Sequence, residues 1–520
     1  MPKKLGILGC LHWLWCLSKV ISQGGEKIVL VKNSLLKNSF YNTAAGAVRI
    51  GLGILTIPLL IRLIGVEEYG LWTLASTVVG MVGLAEAGLS VATTVFVSQD
   101  LGKEDVDGLS QTLTVTFGAM FILATLAAIA LWFTAASIVN LFPKLGQAQQ
   151  LIAIQALQIG GLVVWARLLQ QVLIGVEQAY QRYDLMNWLN TIQSILLSLG
   201  MLAVAWLGGR TVMLMQLQAV VNIVILLSHV WVVRSFFQGI HLRPVWNREK
   251  GLLVARYSAM MWLTSLGGAL FTRADRVIVG ILLDIKTLGV YSVITDITGQ
   301  INTLSALPVQ PLLPTVSNLF VRGNVEYSKL HQQVKQALQI NGLVALGLGA
   351  TIIILSPFIV SLIFPGKTSS QYILPFCIST GIYALYSINA VGYYVLLGIK
   401  AVNFCTANVL AVGTLSLIMI SIGAYNFGLI GAIFGNSGYI GTLLLLFAGM
   451  KKLSIPEKLW IQWLIFPLLL FLVVFIGNLI IPYDQKSLRL GLALLQNFVL
   501  LIWFVIYRNK KLKIFYTNPK

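Results

Sequence analysis

The chain has 520 residues, 57% of them apolar and only 10% charged, with a mean hydropathy of +0.85. So apolar and so weakly charged a composition excludes an ordinary soluble domain and points to a polytopic membrane protein. A net charge of +19 would suggest nucleic acid in a soluble chain. Here the Lys and Arg that collect in loops on one membrane face explain the excess, and no nucleic-acid partner is expected.

Residues 1–37 come first. After Lys3 and Lys4, "LGILGCLHWLWCL" is apolar over too few residues to cross a bilayer core, which needs about 20. No good small-residue cleavage site follows, so this segment is expected to be cytoplasmic or interfacial. Then come about fourteen apolar runs of spanning length, near residues 40–64, 70–98, 112–141, 150–176, 185–208, 211–237, 252–283, 288–320, 335–364, 371–398, 403–425, 428–449, 459–481 and 488–507. With the amino terminus inside, most of the 36 Lys and Arg fall on the inner side. Only Arg62, Lys144, Arg210, Lys286, Lys367, Lys486 and Arg489 are left outside. Both termini are therefore expected to be cytoplasmic.

The chain also repeats itself. "LIGVEEYGLW" (63–72) resembles "LLDIKTLGVY" (282–291), with Gly70 over Gly289. "VSQDLGKEDVDGL" is followed at a similar offset by "VSNLFVRGNVEYSKL", "IVNLFP" by "IVSLIFP", and "VLIGVEQ" by "VLLGIKA". An offset of about 220 residues spans six helices, an even number, so both copies enter the membrane in the same direction. The expected fold is an all-α bundle of two parallel six-helix repeats plus two extra C-terminal helices. Its lobes are 38–237 and 252–450, joined by a basic cytoplasmic link at 238–251 and followed by two helices and a basic tail over 451–520. A cavity is expected between the lobes.

Seven ionisable residues fall inside the spans: Arg49, Glu86, Arg167, Arg273, Asp275, Arg276 and Asp296. Each costs on the order of 2.5–3.5 kcal/mol on insertion scales and so calls for a cavity or a partner. At a rise of about 1.5 Å per residue, Arg49 comes near the midplane and Glu86 and Arg167 into the inner third. By the same arithmetic Arg273, Arg276 and Asp296 lie toward the outer side, where "ALFTRADRVIVG" reads as an outer gate. Pairing offers a blander reading: Arg273 with Asp296, Glu86 with Arg167, and Arg276 snorkelling to headgroups. The sign is more telling. Four arginines face three carboxylates, and guanidinium forks suit phosphate oxygens, so an anionic substrate is expected at Arg49, Arg167, Arg273 and Arg276. Glu86, Asp275 and Asp296 are the acids available for pairing or for a coupling ion, H+ or Na+. Pro308, Pro311 and Pro314 in the eighth run, and Pro357 in the ninth, favour kinks and hinges.

Several chemistries lack their residues. No GxxxxGK[ST] string appears, and His12, His229, His241 and His331 are dispersed. The cysteines Cys10, Cys16, Cys377 and Cys405 have no metal-ligand spacing. The acidic string "DLGKEDVD" (100–107) reads as a solvated turn between helices. No enzyme activity, metal or cofactor is expected.

The strings "LLKNSFYNTAAGAVRIGLGILTIPLLIRLIGVEEYGLW", "RADRVIVGILLDIKTLGVYSV", "LPVQPLLPTVSNLF" and "FGLIGAIFG" resemble the polysaccharide-transporter family, which includes Wzx-type O-antigen flippases. That family belongs to the multidrug/oligosaccharidyl-lipid/polysaccharide exporter superfamily. The resemblance covers roughly residues 35–450. It implies a monomeric bacterial inner-membrane transporter that moves isoprenoid-diphosphate-linked oligosaccharide outward by alternating access. Its partners would be the lipid-linked glycan and polysaccharide polymerase or glycosyltransferase machinery. Cationic cavity residues of the family would fall on Arg49, Arg167, Arg273 and Arg276. Two alternatives stay open: a cation-coupled drug antiporter of the same fold, which needs the acids rather than the arginines, and a non-transporting scaffold, which needs neither.

Overall fold

The computed structural model describes residues 51–53, 55–86, 88–180, 182–237, 243–271, 273–310, 312–313, 316, 327–364, 367–399, 401–480 and 485–508. Arg49, Pro311 and Pro314 lie outside the described residues. All regular structure among the described residues is helical. The first repeat comprises α1 (Gly51–Ile64), α2 (Val66–Val82), α3 (Leu89–Gly102), α4 (Val106–Val139), α5 (Gln147–Ala179), α6 (Tyr183–Trp206) and α7 (Thr211–Phe236). The second opens with α8 (Arg248–Phe271), α9 (Ala274–Leu282) and α10 (Ile285–Ala306). It continues through α11 (Tyr327–Ile354), α12 (Ser356–Ile363), α13 (Ile373–Tyr386), α14 (Ala390–Gly398), α15 (Val402–Gly435) and α16 (Leu443–Lys452). The two helices beyond the repeat, α17 (Glu457–Ile480) and α18 (Lys486–Arg508), pack on α11.

Among the described residues, nine helices are long and apolar enough to cross a membrane, which makes this a multi-pass membrane protein. One of the nine, Val402–Lys452, covers two expected spans. Its chain reverses at Gly428, where φ is 59°, a left-handed conformation that glycine adopts without penalty. Four expected spans fail the criterion: 40–64, 70–98, 252–283 and 288–320. Only part of the first is described. None of the other three runs as one helix: the turn Gly83–Glu86 lies between α2 and α3, the non-helical Arg273 precedes α9, and the 3-10 turn Leu307–Val309 follows α10. Pro308 sits in that last turn, where its missing N–H ends the α-helical ladder. Pro357 starts α12 in its first turn instead of kinking a continuous helix.

The two repeats meet along α2 and α10. At one end of the bundle, a Cβ built on Gly70 would collide with the Ile285 carbonyl oxygen. One built on Gly289 would lie 2.5 Å from the Val66 carbonyl oxygen and 3.3 Å from Gly70 Cα. Around this contact Phe142 packs on Gly280, the Lys144 ammonium donates to the Leu282 carbonyl, and Arg62 donates to the Leu362 carbonyl. At the opposite end, α8 packs on α3 and α4 of the first repeat as well as on α15. There Lys250 reaches Asp100 at 2.7 Å, Asn247 donates to Gln111 at 3.0 Å, and the Trp262 indole donates to the Leu84 carbonyl at 2.7 Å.

Asp100 corrects the expectation of a wholly solvated acidic turn. Lys103, Glu104, Asp105 and Asp107 are exposed, but Asp100 is buried and also accepts from Thr112. A second buried pair joins α5 to α7, where His229 Nδ1 lies 2.7 Å from Glu177 Oε1 and both side chains are fully buried. Arg489, expected on an outer loop, is instead buried in α18, where it donates to Asn478 and to the Ile354 carbonyl.

Candidate functional site

The break between α8 and α9 builds the site. Arg273 caps α9 with non-helical backbone (φ −134°, ψ −26°), and Asp275 and Arg276 occupy the first turn of that helix. The three charges of "ALFTRADRVIVG" therefore sit at an interruption, where the chain turns into the space between the repeats. They do not ride on a continuous lipid-facing helix. Counted along ideal helices these charges fall toward the outer side and Arg167 into the inner third; the structure gathers Arg167, Arg273 and Arg276 around one cavity of about 620 Å³.

Each cation has a distinct environment. Arg276 is ion-paired with Asp296 on α10, so the acid's partner is Arg276 and not the expected Arg273. This pairing also replaces snorkelling as the resting place of Arg276. The other Asp296 oxygen accepts from Tyr69 of α2 at 3.5 Å, which carries the network from one repeat to the other. Arg273 lays its guanidinium against Gly80, where any Cβ would collide with Nη1. Arg167 is exposed, and because it lines the cavity its free surface faces that space. Neither Arg167 nor Arg273 has an ion-pair partner among the described residues. Arg273 lies near enough to Arg167 and Arg276 to feel both charges.

Among the described residues, three guanidiniums thus face the cavity against one carboxylate, a net charge of two positive. Like charges are held together in a partly desolvated space, which raises their mutual repulsion and favours a multivalent anion among them. Asp275 does not line the cavity. It is buried behind it and accepts from the Tyr291 hydroxyl at 2.9 Å, while Asn436 of the second repeat donates to that same hydroxyl at 3.1 Å. Glu86 is half-buried in the turn between α2 and α3, and the expected pair with Arg167 is not formed.

Sequence reasoning missed the rest of the lining. Gln170 and Gln171 of α5 are joined by Asn190 and Gln193 of α6 and by Gln218 and Asn222 of α7. Gln170 donates to the Asn222 carbonyl oxygen at 2.6 Å, and Gln193 donates to Asn222 Oδ1 at 3.0 Å. These amides lie on three helices with no shared motif. The available signal was polar residues recurring at helical spacing in otherwise apolar runs, such as 190 and 193 or 218 and 222.

The fold has known counterparts. A lipid II flippase, MurJ, in an inward closed conformation, is similar with a TM-score of 0.72 and 17% identity, over 90% of this chain and 99% of that one. An inward-facing multidrug resistance MATE family transporter of the MOP superfamily is similar with a TM-score of 0.59 and 18% identity, over 85% and 99%. A MOP superfamily transporter from Pyrococcus furiosus, described as having a binding pocket of reverse polarity, gives a TM-score of 0.52 at 15% identity, over 82% and 99%. No curated protein sequence matches the chain. These likenesses establish the fold, an all-helical one shared with MurJ and the MATE transporters. The family model for polysaccharide biosynthesis proteins matches residues 35–320, more than half of the chain, and the protein therefore belongs to that family.

Proposed function

We propose that the protein flips an isoprenoid-diphosphate-linked oligosaccharide, a polysaccharide precursor, from the cytoplasmic to the outer leaflet of the bacterial inner membrane by alternating access. The observation that carries this reading is the net positive cavity between the repeats, where Asp296 is the one acid that meets Arg167, Arg273 and Arg276 among the described lining residues. Guanidinium forks hold diphosphate oxygens in bidentate fashion, and the glycan would share the cavity while the prenyl chain stays in lipid. Arg49 is expected to add a fourth cation from the first expected span. An antiporter for organic cations would favour the opposite sign in this cavity.

The helix breaks supply a mechanism. Opening one end means parting α2 from α10 at Gly70 and Gly289. Opening the other means releasing α8 from α3 and α4, where Lys250–Asp100 and Trp262–Leu84 hold it. The interruption at Arg273 lets α8 swing without α9, and the Pro308 turn serves α10 in the same way. With both termini cytoplasmic, the glycine contact is the outer gate and the Asp100 cluster the inner one. Asp275, buried beside the cavity, is the acid best situated to take a coupling H+ or Na+.

The decisive experiment replaces Arg167, Arg273 and Arg276 singly by Gln, with Lys controls, at matched membrane abundance. Surface glycan and the lipid-linked intermediate are then measured together. Loss of surface glycan with accumulation of the intermediate on the inner leaflet supports flipping. Undiminished glycan in all three Gln variants overturns it.

A further inference from the structure

The cavity is chemically divided, and the neutral side is built as deliberately as the cationic one. Gln170, Gln193 and Asn222 are tied to one another, which fixes the faces of α5, α6 and α7 relative to each other. Beside them Gln171, Asn190 and Gln218 also line the cavity, and their side-chain amides make no hydrogen bond to any described residue. Across the cavity, α2 contributes Trp72, Thr73, Ser76 and Thr77 to the lining. Polar groups in a partly desolvated space are satisfied in the great majority of cases, so half-buried amides that line a cavity and bond to no described residue call for a ligand or ordered water to complete them.

We propose that this amide wall is a subsite for uncharged, hydroxyl- or acetamido-bearing sugar residues adjoining the diphosphate, with Arg167 at the seam between the two halves of the ligand. The inference rests on the flippase reading and adds the class of glycan. Carboxamides both donate and accept, which matches sugar hydroxyls and acetamido groups, and the indole adds an apolar face for a pyranose ring. A uronic or other acidic sugar would need a cation on this wall, yet the lining residues of α6 and α7 include none among the described residues. Discrimination of this kind is strong, because a site built to hydrogen-bond a group leaves its own polar atoms unpaired when that group is missing.

The test uses the full-length protein in lipid nanodiscs and three probes: geranylgeranyl diphosphate, the same diphosphate bearing one N-acetylhexosamine, and the same bearing one hexuronic acid. The expected result is that the neutral sugar tightens binding about tenfold over the bare diphosphate and the uronic acid does not, as one or two added hydrogen bonds allow. In Asn190→Leu/Gln218→Leu the gain of the neutral sugar over the bare diphosphate falls to within about twofold, and a thermal unfolding midpoint like that of the wild type shows that the variant is folded. Asn190→Gln, which keeps the amide, retains most of the gain. Equal binding of all three probes by the wild type, an equal gain with the uronic acid, or a full gain in the double variant overturns the sugar subsite while leaving the flippase reading intact. Failure of the wild type to bind any of the three overturns both.

Discussion

Gly70 and Gly289 touch each other across the join between the two repeats, and the contact is reciprocal. Gly70 abuts the carbonyl of Ile285, and Gly289 abuts the carbonyl of Val66. Gly70 and Gly289, and likewise Val66 and Ile285, are related by the same 219 positions that align the first repeat with the second. A contact in which each partner presents the same surface to the other is the signature of a two-fold axis, here one internal to a single chain. It also explains why both positions hold glycine. The backbones approach too closely for a Cβ on either helix.

Gly70→Leu should therefore force α2 and α10 apart at this end and bias the protein toward an open outer face. Overpacking of this kind costs about 1–3 kcal/mol, enough to shift a two-state equilibrium roughly five- to hundredfold. In a background without native cysteines, a thiol placed by Thr73→Cys should react faster with a membrane-impermeant reagent added from outside. An unchanged rate would mean that the glycine contact does not gate the cavity.

Arg167→Gln and Arg273→Gln should each weaken binding of a prenyl diphosphate by about 10- to 100-fold, the range of a charge-assisted hydrogen bond. The corresponding Lys variants should recover only part of this, because an ammonium keeps the charge and loses the fork. Binding isotherms at two salt concentrations check both statements, with the wild type showing the steeper salt dependence.

Arg276 and Asp296 should behave as a coupled pair. Asp296→Asn leaves a guanidinium without its partner, and Arg276→Gln leaves a carboxylate in the same position. Each should destabilise the protein by about 1–3 kcal/mol, less than a fully buried pair because both side chains border the cavity. The double variant should be milder than the sum of the singles. Thermal unfolding midpoints in detergent measure this cycle, and additive singles would show that the pair is incidental.

Gly80→Val should act on transport through Arg273. The new side chain occupies the place of the guanidinium, which is flexible enough to move aside. Little stability should be lost, whereas diphosphate affinity should fall about as far as in Arg273→Gln. Normal affinity in this variant would show that the position of Arg273 against Gly80 is not the one that meets ligand.

Glu177 and His229 lie away from the cavity lining and should report on stability. Removing either one leaves an unmatched polar group in a fully buried site, at about 3–5 kcal/mol. Replacing both, as in Glu177→Leu/His229→Leu, should cost less than either single change. Circular-dichroism melting of the three variants decides it.

The amino-acid sequence was sufficient for the membrane class, the helical content, the parallel repeat and the polysaccharide family. Each of these rests on a periodic or compositional signal carried by one continuous stretch of chain. Spans that run as unbroken apolar helices, such as those of α4 to α7, were legible for the same reason: length and hydropathy alone identify a helix that lipid can surround. The spans that build the interface are interrupted, after α2, at Arg273 and after α10, and a count along an ideal helix does not carry across a break. That Arg167 of α5 and Arg273 share one cavity follows only from how the helices pack. Pairing could not be read locally either. Which carboxylate neutralises which arginine depends on side chains from α9 and α10 meeting in space, and the choice fell on Arg276 with Asp296. The amide wall was hidden most completely. Glutamine and asparagine at single helical positions carry no motif, and only the packing of three helices turns them into one surface.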